Sequence, residues 1–518
     1  MFDPARVARF DGVAIFAALA TLICAAPAIA VFALALTRSD GGADFAGGLL
    51  RDGAIGTLSL MLAGGLGAIV FGATSAWLVG LCRFPGRSVF EWLLVAPLAA
   101  PSYILAYAYA SLTWSGGPIP IPIAGFWGAA FVYAIGLYPY VYLAGRAAFV
   151  SQSSGALEAA RTLGARPAQV FWRVALPLAR PAIAAGGALA MMEIAADYGA
   201  AHHFGLTTLS TAVFRAWYAH GSPGMALQIS AVLLAGAILF LMVERRARGR
   251  ASFANASRGR ETPRYRLSPL SSAAAFLFCA ALATFGALLP LAWLLRLALL
   301  HANVEDIVQP FVNSMMLSSG GALVTLVLAA SIAAAARRTG AFGKASLYAA
   351  AMGYAAPGAV LAMGALALFG AAREAGWVGG LGAGLALTAL IWSYAARFAS
   401  AGVQPIDAGL ARLSKGLDSS ARTLGAGPWR RFLHVDLPIA APSLAAAALI
   451  LFVEILKELP ATLILRPFDF DTLAVKAYAY ASDERLLEAA APALLIFVAG
   501  LLPILVLSRG IGVRRVAT

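Results

Sequence analysis

The sequence is poor in charge. Of its 518 residues only 12% are Asp, Glu, Lys or Arg, whereas 61% are apolar and the mean hydropathy is +0.82. Soluble domains carry about 25% charged residues, so half of the polar surface that such a protein needs is missing. This composition excludes a cytosolic enzyme, a disordered chain and a nucleic-acid-binding protein, although the net charge is +14. We therefore expect a lipid bilayer, and no nucleic acid, as the chain's surroundings.

Cysteines and nucleotide-binding motifs are also scarce. The three cysteines, Cys24, Cys82 and Cys279, lie far apart in apolar stretches, which gives neither a disulfide framework nor a zinc-binding spacing. The segment nearest to a P-loop, residues 340–345, lacks the length and the hydroxyl of that motif. The sequence thus predicts no enzyme activity, no bound cofactor, no firm metal ligand and no ATP site in this chain.

Long apolar runs dominate the sequence instead. A helix needs about 20 apolar residues to cross a bilayer, and twelve segments meet this requirement. They are residues 12–37, 53–82, 92–112, 123–145, 176–200, 222–243, 270–295, 312–336, 345–372, 376–396, 437–460 and 489–508. The sequence therefore predicts an all-α polytopic membrane protein with about twelve transmembrane helices.

The basic residues predict the orientation of these helices. If both termini are cytoplasmic, every basic cluster falls on the cytoplasmic side, as the positive-inside rule requires. The clusters lie at residues 83–87, 161–173, 245–266, 337–344, 412–431 and 509–515. The opposite side is then net negative, which favours a cationic substrate by its local potential. Ordinary loop composition is the alternative explanation of that excess.

The chain repeats itself. Residues 158–181 (EAARTLGARPAQVFWRVALPLARP) and 419–442 (SSARTLGAGPWRRFLHVDLPIAAP) are identical at 13 of 24 positions, at an offset of 261 residues. A weaker match pairs residues 100–101 with 356–357 at an offset of 256. Glycines and prolines at matched positions are not explained by two alanine-rich segments that resemble each other by chance.

The repeat predicts how the chain is organised. We expect two six-span halves, residues 1–243 and 270–518, joined by a basic cytoplasmic linker at residues 244–269. Because each half has an even number of spans, both repeats share one orientation in the membrane. The halves should therefore be parallel repeats, related by an axis along the membrane normal.

The repeated segment lies in a predicted cytoplasmic loop of each half. Apolar residues at helical spacing, including Leu163 and Leu424, give each copy an apolar stripe. Gly164 and Gly425 then end the two short helices, since glycine fits a left-handed cap. A helix with an apolar face outside the membrane is suited to a groove on another protein. Packing on the membrane surface or on its own loop is the alternative.

These loops resemble the EAA loop of ATP-binding-cassette (ABC) importer permeases, whose pattern is EAA, three residues and Gly. The residues that carry the resemblance are Glu158, Ala159, Ala160, Arg161, Leu163 and Gly164, with Ala421, Arg422, Leu424 and Gly425 in the second copy. In that family the loop docks into a cytoplasmic ATPase. The resemblance implies two copies of an ABC ATPase, which uses the ATP, and a periplasmic substrate-binding protein as partners. Ser419 and Ser420 replace the Glu and the first Ala, so the two ATPase contacts need not be equal.

A narrower resemblance covers most of the chain. Fused two-half permeases of this kind are typical of ferric-iron importers of the bacterial inner membrane, and residues 196–199, 207–218, 457–463 and 466–474 look like that group. The resemblance implies passage of iron(III), free or chelated. An ABC permease for another substrate such as thiamine is the alternative, as is a secondary transporter driven by an ion gradient, which would need no docking loop.

Four acidic residues lie in or beside predicted membrane helices. Glu193 and Glu454 each follow the repeated Leu-Pro by 16 residues, about 24 Å along a helix. Asp197 and Glu458 come four residues later, on the same face. Because charges in a bilayer are costly and mark functional sites, we predict that these four acids line the substrate pathway. Internal pairing, for example of Glu454 with Lys457, is the alternative.

Three further side chains lie close to Asp197 in the sequence. Tyr198, His202 and His203 are interpreted as interfacial residues near the outer end of their helix. Contact with iron is the alternative that their chemistry allows.

Overall fold

A computed structural model describes residues 12–37, 43–113, 117–119, 122–151, 160, 162–164, 167–248, 264–338, 341–377, 379, 382–411, 420, 423–425, 430, 434–435 and 437–513. These residues are almost entirely helical, which confirms the predicted all-α class. The exception is a short parallel pairing between the strands Cys82–Arg83 and Tyr265–Arg266.

The helices follow one another with short connections. The α-helices are Gly12–Ala35, Ala43–Leu81, Arg87–Leu93, Ser102–Thr113, Gly125–Ser151, Pro167–Val170, Leu176–Ala196, Gly199–His203, Leu209–Phe214, Pro223–Arg248, Pro269–Ala283, Leu289–His301, Glu305–Arg338, Ala341–Ala355, Gly358–Glu374, Ala383–Leu410, Leu437–Leu456, Pro460–Leu465, Leu473–Ser482 and Leu486–Val513. The structure also contains π-helical segments at Phe171–Ala175, Arg215–Ala219 and Thr284–Leu288, and a 3-10 turn at Ala96–Ala99.

Several of these helices could span a membrane. Among the described residues, nine helical segments are long and apolar enough, or ten if Arg87–Ala99 and Ser102–Thr113 form one bent span. This agrees with a multi-pass membrane protein, although the sequence predicts about twelve spans. Part of this difference in the number of spans arises near residue 380. The sequence predicts a span at 376–396, whereas the structure has a helix over Ala383–Leu410 that is not among the nine.

Two of the predicted spans are interrupted at a proline. The span predicted at 92–112 bends by 94° at Pro101, and the span predicted at 345–372 is divided at Pro357. The carbonyl of each proline accepts the amide three residues later, at 3.0 and 3.2 Å respectively. Because proline has no N–H and clashes with the preceding turn, it opens a new helix instead of continuing the old one.

The chain folds into two compact units. Unit 1 comprises residues 1–42, 213–234 and 308–475, and unit 2 comprises residues 43–212, 235–307 and 476–518. The first copy of the repeated segment thus belongs to unit 2 and the second copy to unit 1. The predicted halves describe the duplication of the sequence and stay a prediction, and residues 249–263 of the predicted linker lie outside the described residues.

Small residues let the helices of unit 2 approach closely. A Cβ atom on Gly72 would lie 2.6 Å from the carbonyl oxygen of Tyr138 in the neighbouring helix. A Cβ atom on Gly186 would lie 2.8 Å from the carbonyl oxygen of Tyr140. In lipid, close packing of this kind drives helix association, because apolar side chains gain little from leaving a lipid environment.

The helix Gly12–Ala35 packs into the core of unit 1. A Cβ atom on Gly364 would lie 2.0 Å from the carbonyl oxygen of Pro27, and the indole N–H of Trp392 donates to the carbonyl of Ile23 at 2.7 Å. The core consists mostly of small apolar side chains. They are Ala20, Cys24, Ala329, Ile332, Ala333, Ala350, Ala399, Val403, Ile406 and Ala447.

All three cysteines of the chain are buried and free of disulfides.

Gly364→Ala is expected to destabilise unit 1, because the new methyl group would collide with backbone. Overpacking of this kind costs about 1–3 kcal/mol, so the melting temperature in detergent should fall by several degrees. Gly370→Ala in the same helix is the matched control, since a Cβ atom there meets nothing within 4 Å. Equal melting temperatures for the two variants, measured by fluorescence-detected gel filtration after heating, would contradict this packing.

Candidate docking loops and pathway residues

The repeated segment contains a glycine of the same backbone geometry in both units. Gly164 has a φ angle of 76° and Gly425 one of 78°, in the left-handed region that glycine enters without strain. A Cβ atom would meet no atom within 4 Å at either position. Glycine is therefore needed for the backbone conformation and not for space.

An exposed leucine precedes each of these glycines. Leu163 and Leu424 are each 86% exposed. In the second loop the carbonyl of Ser420 accepts the amide of Leu424 at 3.1 Å and the hydroxyl of Thr423 at 2.8 Å. Both leucines thus expose apolar surface that a partner protein could remove from water.

The remaining predicted docking residues are described only in part. Ala160 is half-buried. Glu158, Ala159, Arg161, Ala421 and Arg422 lie outside the described residues. Their contacts with an ATPase stay a prediction.

In unit 2, Asp197 caps a break between two helices. The helix Leu176–Ala196 ends there, and Asp197 takes an extended conformation with ψ 127°. One of its carboxylate oxygens accepts the amide of Ala200 at 2.8 Å, in the short helix Gly199–His203. The carboxylate thus satisfies a backbone donor that the break leaves without a helical acceptor. Asp197 and Glu193 are both half-buried.

In unit 1, Glu458 caps the equivalent break and is more deeply buried. Its side chain is 1% exposed and pairs with the guanidinium of Arg397 at 2.9 Å. Its carboxylate also accepts the amides of Ala461 and Thr462 at 3.1 and 3.2 Å. Removal of one partner of such a pair leaves the other charge buried and uncompensated, which is strongly destabilising. Glu458 therefore stabilises unit 1 through these contacts, and its predicted pathway role stays a prediction.

Glu454 forms an ion pair with Lys457, with 2.7 Å between the charged atoms. This is the internal pairing that the sequence leaves open as an alternative to a pathway role. In unit 2 the position equivalent to Lys457 is Ala196, so the same pair cannot form around Glu193. The proposed pathway roles of Glu193 and Glu454 stay predictions.

The same offset of 261 residues also relates two other helices, Gly125–Ser151 in unit 2 and Ala383–Leu410 in unit 1. Tyr133 corresponds to Tyr394, and both are fully buried. Tyr133 lies beside Asp197, just as Tyr394 lies beside Glu458. Arg397, however, corresponds to Gly136. The acid of unit 2 therefore has a glycine at the position from which unit 1 supplies an arginine.

The environment of Asp197 changes its protonation. Asp197 lies directly after the segment Phe171–Ala196 that is long enough to span a membrane. Burial raises the pKa of Asp197 to about 6, the amides of Ala200 and Ala201 oppose this rise, and the charge on Glu193 adds to it. The carboxyl group is therefore charged above about pH 6 and protonated below it, and a perturbed group of this kind marks a candidate functional site.

Tyr198 lies beside a tyrosine that sequence reasoning missed. The hydroxyl oxygens of Tyr198 and Tyr478 are 2.7 Å apart, and the centre of the His202 ring lies 5.2 Å from the Tyr198 ring and 5.6 Å from the Tyr478 ring. Tyr198 is 5% exposed, so its side chain is buried by protein, and its interfacial position stays a prediction. Tyr478 lies 280 residues away in the sequence, and no motif connects it to Tyr198.

Ordinary metal sites are not found in the part of the chain that the structure describes. No group of three or more His, Cys, Asp or Glu side chains is placed there to hold a metal ion. The oxygen donors gathered around Tyr198 are mainly phenols, which are ligands of a different kind. Their arrangement is compatible with a hard cation, because such cations take oxygen ligands.

Similar proteins are membrane subunits of transport systems. The Fe(3+)-transport system permease protein FbpB 2 of Haemophilus influenzae is 26% identical over 465 residues, which cover 88% of each chain. The molybdenum transport system permease protein ModB of Escherichia coli is 28% identical over 191 residues, 34% of this chain and 83% of the relative. The sulfate transport system permease protein CysT of Salmonella typhimurium is 32% identical over 139 residues, 25% of this chain and 50% of the relative.

A family model matches the chain twice. The model for the binding-protein-dependent transport system inner membrane component matches residues 68–250 and again residues 326–514. Each match includes one copy of the repeated segment and the acids that follow it, which confirms the duplication and the resemblance to ABC importer permeases. With most of its length covered by these two matches, the chain belongs to the family of inner-membrane components of binding-protein-dependent transport systems.

Proposed function

We propose that this permease forms the transmembrane pathway by which an ABC importer moves iron(III) from the periplasm to the cytoplasm. The observation that carries the proposal is the alignment with the Fe(3+)-transport system permease over 88% of both chains. In contrast, the molybdenum and sulfate permeases cover 34% and 25% of this chain. Relatives that share both halves are better guides to the cargo than relatives that share part of one half.

The chemistry near the helix breaks supports a cationic cargo. Asp197 is charged above about pH 6, and Glu193 precedes it by one helical turn on the same face. A negative potential in a pathway raises the local concentration of cations. Iron(III) is a hard cation that prefers oxygen ligands, and the carboxylate and phenol oxygens of unit 2 are ligands of that kind.

Oxyanion transport is a second candidate, because the molybdenum and sulfate permeases have the higher percentage identities. An oxyanion is commonly bound by backbone N–H groups at a helix N-terminus. In this chain the amides at the starts of Gly199–His203 and Pro460–Leu465 are already bonded to the carboxylates of Asp197 and Glu458. A second anion would be repelled there, which favours the cation.

The energy for transport is proposed to come from a separate ATPase. The chain has no P-loop, and the exposed leucines beside Gly164 and Gly425 give it two docking loops of equal geometry. Two loops imply two ATPase copies for each permease chain, with both loops and both termini on the cytoplasmic side. ATP binding would close the ATPase dimer and move the loops, which opens the pathway toward a loaded substrate-binding protein, and hydrolysis would reset it.

Reconstitution is expected to give iron(III) uptake that depends on ATP. Vesicles that contain the permease, its cognate ATPase and its cognate binding protein should accumulate radiolabelled iron(III) when ATP is supplied on the ATPase side. Parallel assays with labelled molybdate, sulfate and thiamine test the other cargoes. Uptake of one of these without iron uptake would contradict the cargo assignment. Iron uptake by vesicles that lack the ATPase would contradict the ABC mechanism and favour a secondary transporter.

Leu163→Asp and Leu424→Asp are expected to weaken ATPase docking, because each places a charge at an apolar contact. We expect each variant to retain about tenfold less ATPase on purification of the complex, which corresponds to about 1.4 kcal/mol. Phe468→Asp is the control: Phe468 is 101% exposed but lies in a loop predicted to face the periplasm. Unchanged ATPase recovery for both leucine variants would show that these loops do not dock it.

A further inference from the structure

The two repeats differ in their chemistry beside the capping acids. Four side chains of unit 2 carry a phenol or an imidazole where the equivalent residue of unit 1 is apolar. The correspondences are Tyr103 with Ala359, Tyr107 with Met363, Tyr198 with Leu459 and His202 with Leu463. The first three of these apolar residues are at most 1% exposed. Unit 1 therefore packs at these positions without any polar group, and the phenols are particular to unit 2.

Burial of a hydroxyl group costs free energy unless the group gains a partner. Four phenols gather in unit 2, and two of them, Tyr198 and Tyr478, are partners in a hydrogen bond. Tyr107 is 2% exposed and lies beside Tyr103, Tyr198, Tyr478 and Asp197. This gathering of oxygen atoms, absent from the equivalent residues of unit 1, points to a ligand.

The spacing of two of these oxygens fits a metal ion. Ligand oxygens about 2.0–2.1 Å from an octahedral cation lie about 2.8–3.0 Å apart when they occupy neighbouring positions. The hydroxyl oxygens of Tyr198 and Tyr478 are 2.7 Å apart and share a hydrogen bond, so a cation that displaced the shared proton could bind both with little movement. The His202 ring packs on both tyrosine rings and holds their orientation.

We propose that the hydroxyl oxygens of Tyr198 and Tyr478, with the carboxylate of Asp197, form a transit site that binds iron(III) directly during its passage through unit 2. This inference rests on the proposed function, since it assumes an iron cargo, and it adds the residues that touch it. Asp197 follows the span that leads into the site and supplies the negative charge. Tyr107 supplies a further buried oxygen beside the other three.

Binding at the transit site is a proton exchange without redox chemistry. Each phenol loses its proton to water as its O–H bond is replaced by an Fe–O bond, so two phenols release two protons for each iron. Iron stays in the +3 state throughout. Release toward the cytoplasm reverses the exchange, because the phenolate oxygens take up protons again. Metal binding is therefore weakened by acid, as is general for ligands that must deprotonate.

Unit 1 cannot offer an equivalent site. Its capping acid, Glu458, is paired with Arg397, and its neighbours Leu459 and Leu463 have no ligand atoms. The four pathway acids predicted from the sequence are thus unequal in this proposal: Asp197 contacts the cargo, whereas Glu458 holds the fold together.

Tyr198→Phe and Tyr478→Phe test the transit site in the complete importer, with ferric citrate as the probe. Each should lower the initial rate of iron uptake about tenfold or more, as loss of a group that supports a metal commonly does, and should weaken the visible iron–phenolate absorption band of the solubilised complex. Tyr142→Phe is the control, because it removes a buried hydroxyl that donates to the carbonyl of Glu91 at 3.1 Å. Its uptake and absorption should equal those of the unmodified importer.

The outcomes separate the two proposals. If the unmodified importer takes up no iron, the proposed function fails. If it takes up iron and both phenylalanine variants keep its rate and its absorption band, the transit site is wrong and the proposed function stands. A purely structural role of the tyrosines would lower the melting temperature and leave uptake per folded molecule unchanged, which would also overturn the site.

Asp197→Asn gives an independent test that does not depend on the tyrosines. Asparagine keeps an oxygen that can accept the amide of Ala200, so the variant should fold with a melting temperature near that of the unmodified protein and lose most iron uptake. Glu458→Gln is the matched variant of unit 1, and it should lower the melting temperature because Arg397 loses its counter-charge. Equal effects of the two substitutions on uptake and on melting would contradict the assignment.

Discussion

A helix that begins among buried side chains leaves backbone N–H groups that need an acceptor, and this requirement organises both units. In an apolar environment each such group costs several kcal/mol if it stays without a partner. Asp197 and Glu458 meet the requirement in the same way, with a carboxylate that accepts the amide three residues later. The helices Leu176–Ala196 and Leu437–Leu456 can therefore each end at a break, after which a short helix begins.

Both units need a carboxylate acceptor at the helix break, but the side chains around that carboxylate differ between them. In unit 1 the carboxylate is neutralised by Arg397, and its side chain is 1% exposed. In unit 2, Gly136 occupies the equivalent position, and the carboxylate lies among phenols instead. One copy of the capping acid is thus committed to stability. The other retains a charge and nearby ligand atoms, which a cation pathway can use.

The sequence predicts features that depend on neighbouring residues better than those that depend on distant ones. The left-handed caps at Gly164 and Gly425 follow from glycine at the end of a periodic helix, and both have the expected φ angle. The breaks at Pro101 and Pro357 were missed, because apolar residues on both sides of a proline resemble one continuous span. The pair of Arg397 with Glu458 and the contact of Tyr198 with Tyr478 join residues 61 and 280 positions apart, which no local pattern encodes.

The duplication itself separates general requirements from specific ones. Both docking loops keep the same glycine conformation and the same exposed leucine, as expected if two identical ATPase copies bind them. The buried residues after the helices Leu176–Ala196 and Leu437–Leu456 need not stay alike. Ions that pass one at a time need ligands from only one of the two copies. Fusion of both halves into one chain allows the copies to diverge independently. Two identical ATPase copies can therefore act on a pathway whose two repeats differ in their side chains. Residues that differ between the repeats are the best candidates for contact with the cargo.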